Sequence, residues 1–344
     1  MSASLLLIVL IVVVALAFDF TNGFNDSANI VAAAIMSRAI GPSTALLLAA
    51  VSEFVGAYFL GTAVASTVGK GIIDPAGFTA SGGAAGGLAI LSALFGAIAW
   101  NVTSLRMGVP SSSSHALIGG LIGAFIALAG FHSVYWNKVA QVISIMIISP
   151  VIGIASTFIF AKLTLLFASW SSPRINKIFR KFQIVALVTQ ALAHGTNDAQ
   201  KTMGVITFAL IAMGFLAAPD AAAALVVPKW VTAACAAAIA LGMGSGGRKI
   251  IKTLGGKLYK IRPVHGFASQ TASSLIIAAT SFFGYPISTS QVISSSVMGA
   301  GAAFRPKMVR WQVAKDMGMA WLVTIPVSAL VSALIFSVVK KILL

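Results

Sequence analysis

Charge is what this chain has least of. Of its 344 residues only 9% are charged, and just seven of those are acidic against 23 Lys and Arg. With 58% hydrophobic residues and a mean hydropathy of +0.99, so few charges cannot clothe a water-soluble globule. A bilayer is the solvent this composition requires. Cysteine is nearly missing too: the single Cys235 excludes an internal disulfide and a thiolate metal cluster. The formal net charge of +16 invites a nucleic-acid reading, but basic amphipathic faces interleaved with aromatics are lacking. Instead 14 of the 23 basic residues fall in three short segments, four in 170–182, six in 248–262 and four in 305–315. That is the pattern of cytoplasmic loops, and no nucleic-acid partner is expected. The first 18 residues lack the basic start of a signal peptide, and a similar apolar run recurs as Ile184 to Ala193, so the segment is expected to stay on the mature protein.

Apolar stretches able to cross roughly 30 Å of hydrocarbon run at about 4–36, 44–68, 138–168, 184–217, 229–246 and 316–341. Two further apolar pairs, 86–107 with 111–130 and 263–283 with 287–304, read as re-entrant hairpins or as pairs of full spans. Inside the first and fourth stretches sits a polar motif, Gly23-Phe24-Asn25-Asp26-Ser27-Ala28-Asn29 and Gly195-Thr196-Asn197-Asp198-Ala199-Gln200-Lys201, displaced by 172 residues. Carboxylates and amides in hydrocarbon are costly, and these two long stretches are read as helices broken at the motif. Each hairpin pair is interrupted by a Pro and hydroxyls, Pro110-Ser111-Ser112-Ser113-Ser114-His115 and Pro286-Ile287-Ser288-Thr289-Ser290-Gln291.

Two motifs recurring in the same order at similar spacing mark a duplication. An odd number of crossings per half makes the halves insert in opposite orientations. The expected architecture is an all-α polytopic membrane protein of two inverted-topology repeats, 1–169 and 184–344, joined by a basic cytoplasmic linker at 170–183. Both termini then lie outside the cytoplasm, in a multi-pass plasma-membrane protein.

Helix ends exposed in mid-membrane, with the hydroxyls of Ser112, Ser113, Ser114, Ser288, Thr289 and Ser290, offer the many donors a tetrahedral oxyanion needs. Asn25, Asn29, Asn197 and Gln200 add amides. Asp26 and Asp198 would repel an anion unless a cation or proton accompanies it, which is the physical basis of symport. Serine runs and lone Asn residues also serve helix packing, so the duplicated acids carry most of the argument. Glu53 has no repeated acidic counterpart and is either a partner of a Lys or part of an ion path. His115 and His194 lack the spaced ligands of a metal site and are read as hydrogen-bonding neighbours. The glycine-rich runs 81–87 and 242–247 match nucleotide-binding patterns only superficially.

These residues resemble the PiT family of inorganic phosphate transporters, whose hallmarks are paired Gly-x-Asn-Asp motifs and a Pro followed by Ser/Thr-rich residues in each half. Gly23 to Asp26, Gly195 to Asp198, Pro110 to His115 and Pro286 to Gln291 match in order. The resemblance implies secondary active phosphate uptake, driven by H⁺ or Na⁺ and without a cofactor. It implies phosphate held by Asn25, Asp26, Ser112, Ser113, Ser114, Asn197, Asp198, Gln200, Lys201, Ser288, Thr289 and Ser290. The coupling ion falls to Asp26, Asn29 and Asp198. Lys201 stands where the first half has Asn29, so an ammonium replaces a cation-coordinating amide, which favours H⁺ over Na⁺ and resembles the bacterial low-affinity branch. Partners expected are inorganic phosphate, the lipid bilayer and a second copy of the chain as a homodimer. A sulfate permease of the same family and, more remotely, an intramembrane aspartyl protease are the alternatives; sulfate at neutral pH has no proton to give a carboxylate.

Overall fold

The computed structural model describes residues 2–73, 83–107, 111–170, 174–217, 225–246 and 262–343. Pro110 and nearly all of the basic segment 248–262 lie outside them. Eleven α-helices are described: α1 Ala3–Met36, α2 Pro42–Phe59, α3 Ala63–Gly71, α4 Gly83–Arg106, α5 Ser113–Ala129, α6 Trp136–Ser169, α7 Ile175–Ala212, α8 Lys229–Ser245, α9 Pro263–Phe282, α10 Thr289–Phe304 and α11 Trp311–Leu343. Five of them, α1, α2, α4, α6 and α11, are long and apolar enough to cross a membrane.

Two expectations need correction. α1 and α7 are not broken at the motifs but run through them, over 34 and 38 residues. Neither motif contains Pro, and one interior Gly costs only about 1 kcal/mol, too little to open a helix whose polar side chains find partners elsewhere. Helix ends fall elsewhere: α4 ends at Arg106 and α5 begins at Ser113, and α9 ends at Phe282 and α10 begins at Thr289. Likewise the expected linker 170–183 is helical from Ile175 onward, because its Lys, Arg, Phe and Ile residues are tolerated by a helix and contain no breaker.

The packing pattern survives exchange of the first half of the chain for the second. α1 packs on α8 as α7 packs on α2; α5 packs on α11 as α10 packs on α6. Close backbone approach is made possible by glycines at matching places. A side chain on Gly23 would strike the Ile239 carbonyl and one on Gly195 the Glu53 carbonyl; Gly56 lies against Leu192 and Gly242 against Phe20. Gly123 on α5 meets Ala329 of α11, and Gly299 on α10 meets Ile154 of α6. Small residues let membrane helices approach closely where no water drives them together.

The long final helices also match. α6 contains Pro150 and α11 contains Pro326, and each follows a short 3₁₀ turn, Phe131–Ser133 or Pro306–Met308. Trp136 Nε1 donates to the Phe131 carbonyl at 2.9 Å, and Trp311 Nε1 to the Pro306 carbonyl at 3.0 Å. One local device has thus been built twice, 175 residues apart.

Glycine contacts of this kind separate two outcomes. Gly299→Val places a side chain against the Ile154 backbone and is expected to cost at least the 1–3 kcal/mol typical of overpacking. Gly318→Ala, on α11 with nothing within 4 Å, is expected to stabilise the helix by up to about 1 kcal/mol. Thermal unfolding of the detergent-purified variants measures both, and equal melting temperatures would refute the close-approach account.

Candidate functional site

The motif helices place their polar residues on facing sides. On α1, Asp19, Asn22 and Asp26 follow at three- and four-residue steps; on α7, His194, Asp198 and Lys201 do the same, so each trio shares one helix face. All six are buried. Between α1 and α7 the tips of the two hairpins meet: Ser288 Oγ donates to Ser112 Oγ at 2.8 Å, and the Gln291 amide faces His115 Nε2 at 3.4 Å. Each bond joins equivalent positions of the two hairpins, 176 residues apart. Ser112 is also the N-cap of α5, its hydroxyl accepting from the His115 N–H at 3.3 Å. The helix N-termini turned toward the centre therefore belong to α5 and α10, and their partial positive charge suits an anion there.

Lys201 is the anchor of the site. Its ammonium donates to Asp198 Oδ1 at 2.5 Å, to Ser114 Oγ at 2.5 Å and to the Ile287 carbonyl at 2.7 Å, so all three of its protons are used. The other Asp198 oxygen accepts from Asn22 Nδ2 at 3.1 Å and from Thr289 Oγ1 at 3.0 Å. Asn22 Oδ1 in turn accepts from Ser113 Oγ at 2.5 Å. A buried carboxylate with this many donors is held ionised and fixed in place.

The first half repeats the same contacts with different chemistry. Asn29 Nδ2 donates to Asp26 Oδ1 at 2.8 Å, where the second half uses Lys201 on Asp198. His194 Nε2 faces Asp26 Oδ2 at 3.3 Å, where the second half's acid takes Asn22. His194 Nε2 also lies 3.4 Å from Asp198, and its Nδ1 is in close contact with Glu53 Oε1. Both ring nitrogens thus face carboxylate oxygens, which suits an imidazole bearing N–H on each. Asp26, His194 and Asp198 bring one ligand-type atom each within 4.8 Å of one another. Even with His194 charged, Asp26, Glu53 and Asp198 outnumber it and Lys201 by one negative charge.

Several expected residues do not join this centre. Gln200 turns away: its Oε1 accepts from Val64 N–H at 2.7 Å and Ala65 N–H at 3.4 Å, and its Nε2 donates to the Gly61 carbonyl at 2.7 Å. It caps α3, whose own Thr62 supplies no side-chain cap. Asn197 braces the second hairpin tip, donating to Ser281 Oγ at 2.9 Å and the Tyr285 carbonyl at 3.3 Å. Asn25 is half-buried and its side chain makes no hydrogen bond among the described residues. Ser290 lies beside Ser288 at 3.3 Å. Sequence reasoning left out Asn22 and Asp19, although helical spacing from Asp26 places both on its face. For Glu53 it left open a Lys partner or a place on an ion path; the contact observed is with His194, which α2 and α7 bring together.

A helical membrane bundle with a charged centre enclosed between two hairpin tips defines the class of solute transporters. The comparisons give the family. Residues 22–332 match the model of the phosphate transporter family, and the chain belongs to it. It is 44% identical to a probable low-affinity inorganic phosphate transporter of Bacillus subtilis (strain 168), over 99% of this chain and all of that one. With one of Rhizobium meliloti (strain 1021) it shares 41% identity over 96% of each chain. A solved structure titled "The sodium-dependent phosphate transporter" superposes with a TM-score of 0.86 at 24% identity, covering 98% of this chain and all of that one, which shows a common fold.

The Lys201–Asp198 pair makes a sharp prediction. Lys201→Met strands a buried carboxylate and is expected to destabilise the protein by about 3–5 kcal/mol, whereas adding Asp198→Asn removes the stranded charge and recovers most of the loss. Thermal unfolding of both variants in detergent tests this; a double variant as unstable as the single one would show that the pair does not act as an ion pair.

Proposed function

We propose that this transporter imports inorganic phosphate by symport, with H⁺ rather than Na⁺ as the coupling ion. The observation that carries the choice of ion is the seat of Lys201: its ammonium occupies, against Asp198, the place that the Asn29 amide occupies against Asp26. A fixed cation there replaces one that would otherwise have to be bound. Phosphate lies between the hairpin tips in this reading, with Ser113, Ser114, Thr289 and Lys201 as donors once their present contacts are exchanged for the substrate. Hydrogen phosphate can donate its own proton to Asp26, which supports phosphate over sulfate. The surplus negative charge of the centre supports cotransport, because a dianion cannot enter it without a positive companion.

The same reading takes residues 1–169 and 184–344 as oppositely inserted repeats. The matched glycine contacts, Trp turns and prolines support it. With both termini outside, the basic segments face the cytoplasm of a plasma-membrane protein.

In proteoliposomes, uptake of labelled phosphate is expected to follow an inward proton gradient without Na⁺. Asp26→Asn is expected to abolish accumulation while the protein stays folded. Lys201→Asn should lower uptake and make the remainder Na⁺-stimulated. Wild-type uptake that requires Na⁺ and ignores pH would overturn the choice of ion.

A further inference from the structure

Seven residues before Asp26, α1 carries a second acid that the phosphate site does not use. Asp19 is wholly inaccessible, packed in the apolar cluster that includes Ile11, Phe18, Val231 and Ile239. One carboxyl oxygen, Oδ1, accepts from Thr202 Oγ1 at 2.5 Å. The other, Oδ2, has no hydrogen-bond partner. The buried Cys235 thiol of α8 lies beside the carboxyl.

The charged and titratable groups on the elements around α1 do not answer a charge at this place. α2 offers Glu53, an acid. α7 offers Asp198, another acid, with the Lys201 ammonium committed to Asp198, Ser114 and Ile287 and the His194 ring to Glu53 and Asp26. α4 has only Arg106, in its last turn; α8 has Lys229 at its start, and α9 has His265 near its own start, while α10 has no charged residue. An ionised carboxylate with a bare oxygen in such surroundings is costly, whereas a neutral carboxyl with its O–H on Oδ2 needs no counter-ion.

We propose that the Asp19 carboxyl is the site that binds the coupling proton, an assignment that rests on the reading of proton-driven phosphate uptake. The O–H bond forms on Oδ2 when the site opens to the outside and breaks to water when it opens to the cytoplasm. The state of Asp19 reaches the phosphate site by two short routes. Thr202 directly follows Lys201, and Asn22, one turn along α1, donates to Asp198. Asp19 has no acidic counterpart in the other half, where the equivalent position is Ala191, so the chain carries one such proton site.

Asp19→Asn mimics the neutral acid in shape and is expected to fold. In proteoliposomes it should lose at least ten-fold in phosphate accumulation driven by a pH gradient, while exchange of internal for external phosphate at equal pH stays within about two-fold. Asp19→Glu should keep proton-driven accumulation. In the wild type, infrared difference spectra should show the carbonyl stretch of a protonated acid that Asp19→Asn removes; Thr202→Val, which takes away its hydrogen bond, should shift that band. Wild-type uptake driven by the pH gradient together with undiminished accumulation by Asp19→Asn overturns the assignment to Asp19 alone. Wild-type uptake that ignores the pH gradient and requires Na⁺ overturns both the assignment and the reading beneath it.

Discussion

Burial of charge without water is the condition to which the rest of this structure answers. Asp198 and Lys201 are each less than a twentieth exposed, and the pair is supported because all three ammonium protons and both carboxylate oxygens are hydrogen-bonded by protein. The partners come from α1, α5, α10 and the loop before α10. One ion pair on α7 therefore fixes the relative position of three segments distant in sequence: α1, the start of α5, and α10 with the loop that leads into it. The hairpin tips have to stop in the interior, since the Ser114 hydroxyl and the Ile287 carbonyl that accept from the ammonium sit at those tips. The starts of α5 at Ser113 and of α10 at Thr289 follow from the same need.

Duplication supplies the frame, and divergence within it supplies the direction of the chemistry. Matched glycines, prolines and indole contacts show two halves with one set of packing rules. At the centre the rules hold while the groups differ: Asn29 opposite Lys201, Asn22 opposite His194. Geometry is conserved between the halves, and charge is not. Such a site offers an anion two similar sets of hydroxyl donors but unequal electrostatics, so its two acids need not behave alike.

Much of this was legible in the residues. The membrane class followed from the poverty of charge, and the centre followed from Asp26 and Asp198 recurring with flanking amides. The hydroxyl triplets were found through their prolines. Helix continuity through the motifs was not legible, because a polar run within an apolar one looks the same whether its backbone opens or its side chains reach across to another helix. Gln200 was misplaced for a related reason: it is the neighbour in sequence of three site residues, but its side chain is claimed by the start of α3, whose location no local pattern reveals. Asn22 stood in plain view at helical spacing from Asp26. The meeting of Glu53 with His194 depends on the glycine-mediated approach of α2 to α7, a tertiary fact.

The exchange of final helices between the halves bears on how the chain is made. α5 finds its partner in α11, which emerges from the ribosome long after it, while α6 waits for α10. The first half thus enters the bilayer with a hairpin whose covering surface has not yet been synthesised, and its glycine-lined face remains against lipid until nearly two hundred more residues have followed. A messenger truncated within α11 damages the oldest part of the protein as much as the newest, because the first hairpin is then left without the helix that holds it.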